Sequence, residues 1–151
     1  MTSFEPKDPQ FEARVKASFA RQQTMNTLGI EIVGLRAGEI ELKMPHTSAY
    51  TQQHGFIHGG IIATGLDAAC GYAAFSLMPD DAAILTVEFK TNLISPAKGD
   101  YYLFRGRVVK PGRTITVCDG HAFAVDAGKE KLVATMTGTL MALFDRAGIR
   151  Q

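Results

Sequence analysis

Two short features of the chain bring together residue types that can do chemistry. One is a lone carboxylate, Asp67, inside a long run of apolar and small residues; the other is the triplet His58-Gly59-Gly60 that opens the run. From Gly59 to Leu77 such residues fill both the 62/66/69/70/73/77 stripe and the 61/65/68/72/75 stripe. A helix that is apolar on every side is a buried one, so the pattern predicts a buried helix with Asp67 as its single charged residue. A buried carboxylate without a partner is costly, or its pKa rises. Two readings follow. Asp67 caps a backbone group or pairs with a core hydroxyl such as Thr86 or Tyr72, or it faces a pocket as a base or nucleophile.

The glycines bear on that choice. At a helix start, unpaired N–H groups and the helix dipole favour negative charge, and glycine lets a ligand come close to the backbone. An acyl carbonyl turning into an oxyanion needs such donors. The same two glycines also serve simply to turn a loop tightly into a helix. Gly60 and Asp67 are seven residues apart, which puts them on nearly one helix face but about 10 Å apart along the axis. One carbonyl cannot touch both, whereas a site needs nucleophile and oxyanion donors around one reacting centre. Two antiparallel copies of the helix in an isologous dimer would supply two complete sites by symmetry.

The elements that must position these residues fit one domain, 1–151, because 151 residues, 46% of them hydrophobic, can bury a single core. Lys and Arg number 16 against 15 Asp and Glu, so no global charge draws the chain to nucleic acid or an anionic membrane. Cys70 and Cys118 lack CxxC spacing, and neither a disulfide framework nor a metal site is expected. Met1 to Gln10 is polar and acidic, unlike a secretory signal, which makes a cytoplasmic location the expectation. Gly59 to Pro79 has the length of a membrane span, but it is rich in Gly and Ala, and Asp67 near mid-bilayer would cost about 2.5–3.5 kcal/mol. A membrane helix is therefore rejected.

Residues 9–25 have helical spacing and predict an N-terminal flanking helix. Alternation predicts strands over 29–33 and 39–44, and Pro45 ends the second. Residues 46–57 are polar and aperiodic, a loop of the length that often carries function. After the central helix the period falls to two, giving strands over about 85–93, 102–108, 114–125 and 131–144, with short turns that make them antiparallel neighbours. One apolar helix facing one antiparallel sheet requires the sheet to curl around it. The expected class is α+β, an antiparallel β-sheet wrapped around one long buried central helix.

The run Gln52-Gln53-His54-Gly55-Phe56-Ile57-His58-Gly59-Gly60, then Leu66-Asp67-Ala68-Ala69, Thr86-Val87-Glu88 and Ser95-Pro96-Ala97, resembles the PaaI-like (phenylacetate-degradation) branch of the hotdog-fold acyl-CoA thioesterases over about residues 26–144. The resemblance implies hydrolysis of a medium-chain or aromatic acyl-CoA, with coenzyme A part of the substrate and no cofactor, in a dimer at least and a tetramer as a dimer of dimers. It implies that the Gly60 N–H polarises the thioester carbonyl, beside Gly59, and that His58 shapes the turn and orients the substrate. Asp67 of the opposite subunit attacks or activates water, Gln52 orients carbonyl or water, and Thr86 holds the acid. Some relatives carry Asn at Gln52 and Ser at Thr86, so the same groups sit slightly differently here.

Phe56 and Tyr50 either line the acyl channel or anchor the loop. Between Tyr101 and Cys118 the charged side chains are Arg105, Arg107, Lys110 and Arg113, with no anion; they form a cationic patch for coenzyme A phosphates or the solvated face of a hairpin. Within the resemblance, Arg113, and after it Lys98, are the residues expected near the nucleotide. His54 and His121 are expected at the surface or behind the site. Two other readings are a binding module that holds acyl-CoA uncleaved and a hotdog-fold enoyl-CoA hydratase, which needs an Asp and a His acting together.

Overall fold

A computed structural model describes residues 3–151; the N-terminal polar stretch read above thus lies partly outside them. The chain forms helices α1 (Phe11–Ala20) and α2 (Gln23–Leu28), strands β1 (Glu31–Arg36) and β2 (Glu39–Pro45), a long helix α3 (Gly59–Phe75), and strands β3 (Ala83–Leu93), β4 (Tyr101–Lys110), β5 (Ile115–Asp126) and β6 (Lys129–Leu143). The strands make one antiparallel six-stranded sheet in the order β1-β2-β4-β5-β6-β3. It curls around α3, which packs against β2, β3, β4, β5 and β6. This is the hotdog architecture expected from the sequence.

Alternation does the work in the sheet. Ile40, Leu42 and Met44 of β2 point inward between half-buried neighbours, and β5 alternates likewise, as a sheet with one covered face should. The helix lies so close that a Cβ on Gly106 would stand 2.3 Å from the Ala69 carbonyl oxygen, a contact only glycine permits. Cys70 and Cys118 are buried free thiols in this layer; burial pushes the Cys70 thiol up to about 12 and raises Cys118 also.

Three expectations need correction. The single flanking helix over 9–25 is two helices, because Gln22 adopts an extended ψ of 100° between them. Strand β1 starts at Glu31 rather than 29, because Gly29 takes φ 65° and closes α2 as its left-handed C-cap. The strands after α3 are not a simple meander: β3 pairs with β6 at the sheet edge, while β4 joins β2. The connection Ile94–Asp100 runs across the sheet end, with Ile94 and Ser95 donating to the Val133 carbonyl and Asp100 to Val125. It is too long for a tight hairpin and finds its backbone partners there.

Candidate functional site

Helix α3 is not covered all round. Gly60 is exposed and Thr64, Asp67 and Gly71, on the same stripe, are only half-buried. That stripe runs along the β3 edge: Asp67 touches Thr86, and a Cβ on Gly59 would meet Leu93 Cδ1 at 2.5 Å. The edge itself is unusually apolar, with Val87 53% and Leu93 60% exposed beside Leu85 and Phe89.

Asp67 is partnered. Thr86 Oγ1 donates to its Oδ1 at 2.8 Å. Burial raises the Asp67 pKa, and the Thr86 hydrogen bond works against that rise. Thr86 lies opposite Leu140, which is fully buried, so its side chain is on the helix side of the sheet. The register then slips between Thr86 and Glu88, making Val87 an extra residue. Such a bulge re-aims the side chains around it, and Glu88 turns outward to accept from Thr139 Oγ1 at 2.6 Å. Asp67 and Thr86 line a cavity of about 200 Å³ with Ala68, Gly71, Leu85 and Gln22.

The other expected residues stand elsewhere in the protomer. Gln52, Phe56 and Gly59 line a separate cavity of about 350 Å³ with Leu93, Pro96 and Val133. The two linings share no residue. His58 is the N-cap of α3: its Nδ1 accepts from the Gly60 N–H at 2.9 Å, and its carbonyl accepts from Ile61 and Ile62. The amide expected to hold a carbonyl is thus engaged by an exposed imidazole, in a neutral ring whose proton then sits on Nε2. Gln52 is tied into its own turn, its Oε1 accepting from the His54 N–H and its N–H donating to Phe56. Tyr50 anchors the loop, its hydroxyl donating to the Thr27 carbonyl at 2.7 Å; of the two readings given for it, this contact is the anchoring one.

The four-cation patch is a correction. Arg105 is clamped between Glu41 and a two-pronged contact from Glu130 at 2.7 and 2.8 Å, and Arg107 lies 3.5 Å from Glu39. The anions come from β2 and β6, which a reading along the chain between Tyr101 and Cys118 does not meet. Lys110 and Arg113 have no ion pair among the described residues. Arg113 stands in the β4–β5 turn, at the sheet end where Thr116 faces Leu140 and Leu140 faces Thr86. Lys98 stands in the Ile94–Asp100 connection, at the Gly59 end. His54 and His121 are exposed. Among the described residues no group of three or more His, Cys, Asp or Glu is placed to hold a metal, and no helix is long and apolar enough to cross a membrane.

The sequence reading did not find Gln22, Gly71, Leu85 and Gln151 as neighbours of Asp67. Gly71 was legible as the i+4 neighbour of Asp67 on one helix, whereas Gln22, Leu85 and Gln151 come from other parts of the chain and carry no such local signal.

Comparison with known proteins follows the same lines. Residues 54–131 match the family model described as the thioesterase superfamily. The crystal structure of a thioesterase family protein from Silicibacter pomeroyi is 57% identical, covering 89% of this chain and 98% of that one, with a TM-score of 0.88. Two more distant structures share the fold. The PaaI protein from the phenylacetic acid degradation operon of E. coli is 22% identical, with 89% and 94% covered and a TM-score of 0.79. The thioesterase HI1161 of Haemophilus influenzae is 19% identical, with 97% and 96% covered and a TM-score of 0.79.

Proposed function

The chain belongs to the thioesterase superfamily and is a thioester hydrolase of the hotdog fold, and from that premise we propose that it cleaves acyl-CoA with Asp67 of one copy and the α3 tip of a second copy in each site. The observation that carries this is the division of the candidate residues between two unconnected cavities. Asp67 and Thr86 line one; Gln52, Phe56 and Gly59 line the other.

The β3 edge supplies the means of joining them. An edge strand offers unpaired backbone groups, and this one adds exposed Leu85, Val87, Phe89 and Leu93. Two copies of β3 aligned antiparallel about Glu88, the midpoint of Ala83–Leu93, bring the Leu93 end of each beside the Ala83 end of the other. Gly59 lies against Leu93 and Asp67 against Thr86, so each pairing sets a Gly59-Gly60 tip beside the other copy's Asp67. Lys98 of one copy and Arg113 of the other then fall at the same end, flanking the cleft where coenzyme A phosphates would lie. A tetramer would be built from two such pairs, and a cytoplasmic location suits the substrate.

Within that site the thioester carbonyl takes the Gly60 N–H from His58. The exchanged hydrogen bond is exposed and contributes about 0.5–1.5 kcal/mol, which a developing oxyanion more than replaces. His58, released from the amide, and Gln52 orient the acyl group, and Phe56 borders its entry. Asp67 then either takes a proton from the attacking water or attacks with its own oxygen and is regenerated by water. Either route consumes one water and yields the free acid and the coenzyme A thiol. Hydratase chemistry would instead consume an enoyl-CoA double bond, seen as loss of enoyl absorbance without thiol release.

The test is release of free thiol from a panel of acyl-CoA thioesters by wild type and Asp67→Asn. Loss of turnover with the fold retained is expected; undiminished turnover would refute the assignment of Asp67. Tight acyl-CoA binding without thiol release by the wild type would make the protein a binding module instead.

A further inference from the structure

The far end of the Asp67 cavity is polar in a way the reaction does not require. Tyr72, almost wholly buried, lines it together with Gln22 and Gln151. The Tyr72 hydroxyl lies 3.2 Å from Ser18 Oγ and accepts from Gln22 Nε2 at 3.3 Å. Gln151 Oε1 accepts from the Ile84 N–H at 3.0 Å, which fixes its amide so that Nε2 donates to Ser18 Oγ, also at 3.0 Å. Thus α1, the α1–α2 junction, α3 and Gln151 meet around one hydroxyl pair.

Counting protons shows what is missing. Ser18 and Tyr72 carry one hydroxyl proton each, and their mutual contact uses one. Both glutamines donate into the pair, so the second hydroxyl proton has no acceptor among the described residues. Turning the Gln22 amide over would give that proton to Oε1 and leave the amide N–H groups spare instead. In the first orientation the surplus donor is a hydroxyl of the buried Ser18–Tyr72 pair, where a donor without an acceptor is unfavourable; in the second it is the amide of the half-buried Gln22.

We propose that Tyr72, with Gln22 and Gln151, selects acyl groups that carry a hydrogen-bond acceptor at the end distal to the thioester. The inference rests on the hydrolase reading above and deepens it. Size agrees. Tyr72 is five residues beyond Asp67 on α3, about 7.5 Å along the axis, the span of a short acyl chain or one aromatic ring. The cavity of about 200 Å³ exceeds the roughly 150 Å³ that suffices for benzene. Long unbranched acyl chains would have to displace the polar end wall.

The experiment compares kcat/KM for hexanoyl-CoA and its penultimate ketone, 5-oxohexanoyl-CoA, in the wild type, Tyr72→Phe and Gln22→Met. The ketone adds an acceptor and no donor. The wild type should prefer the ketone by about 3- to 10-fold, the range of one neutral hydrogen bond, and Tyr72→Phe should bring the ratio close to one. Partial unfolding scales both substrates alike and leaves the ratio unmoved, and Gln22→Met, at a half-exposed site, gives a second reading with less risk to the fold. Hydrolysis of both substrates at equal rates by the wild type, or a preference that survives both substitutions, would overturn the inference. Thiol release from neither substrate, nor from the wider panel, would instead overturn the hydrolase reading and this one with it.

Discussion

Replacing Thr86 by valine removes one hydroxyl and keeps the β-branched shape. That hydroxyl donates to Asp67 Oδ1 at 2.8 Å. A hydrogen bond to a charged group contributes about 1.5–3 kcal/mol, and because Thr86 is exposed in the protomer the lower end, about 1.5 kcal/mol, applies after solvent screening. Since about 1.4 kcal/mol is a factor of ten, the ionisation equilibrium of Asp67 should move by about tenfold. The sign is fixed by chemistry. Thr86 stabilises the carboxylate, so its loss holds Asp67 protonated to higher pH, and the working form, the carboxylate, appears later as pH rises. The acid limb of kcat/KM, followed by thiol release, should therefore shift to higher pH. At a pH on the wild-type limb the variant should be up to about tenfold slower, and on the plateau above both limbs it should return to within a few-fold. A limb that stays in place, or an equal loss at every pH, would refute the role given to Thr86.

Three further outcomes follow from the same geometry. Burial raises the Asp67 pKa above the ordinary value near 3.8, so the ionised form destabilises the fold at neutral pH, and this penalty fades as pH falls through the folded-state pKa. Asp67→Asn should accordingly be more stable than wild type at neutral pH in denaturant melts, with the difference shrinking toward acid; a variant less stable at neutral pH would contradict it. Gly71 lines the cavity and a Cβ there meets nothing within 4 Å, so Gly71→Ala should stabilise the helix by about 0.5–1 kcal/mol, or a few degrees in Tm, while narrowing the cavity and lowering kcat/KM; a drop in Tm would show that something else occupies that space. Phe89→Lys places a charge on the apolar β3 edge and should yield a folded monomer without turnover, read by sedimentation and thiol release; an active monomer would remove the second copy from the site.

Asp67 and His58-Gly59-Gly60 were legible because each violates its surroundings: a charge in an apolar run, and two glycines where a loop meets that run. The wrapped sheet was legible too, since one apolar helix beside alternating strands leaves little else to build. What the chain conceals is set by strand order. Placing β3 at the edge, beside β6, depends on the course of the Ile94–Asp100 connection, and only that position leaves the Gly60/Thr64/Asp67/Gly71 stripe uncovered. The extra residue Val87 gives no sequence signal, because a bulge is defined by the partner strand. Arg105 looked free for the same reason, its carboxylates being supplied by β2 and β6. The Gly60 N–H was expected to be open, and the imidazole two residues earlier caps it.

The central claim, that each site joins Asp67 of one copy to the Gly60 tip of another, is tested most directly by mixing two inactive proteins. Asp67→Ala lacks the carboxylate, and Gly60→Pro lacks the N–H at a position in the first helical turn where proline is tolerated. Unfolded together and refolded, a shared site predicts that the mixed dimers regain one intact site each, so that about a quarter of wild-type thiol release returns under random pairing. No recovery in a mixture shown to contain mixed dimers would contradict the account.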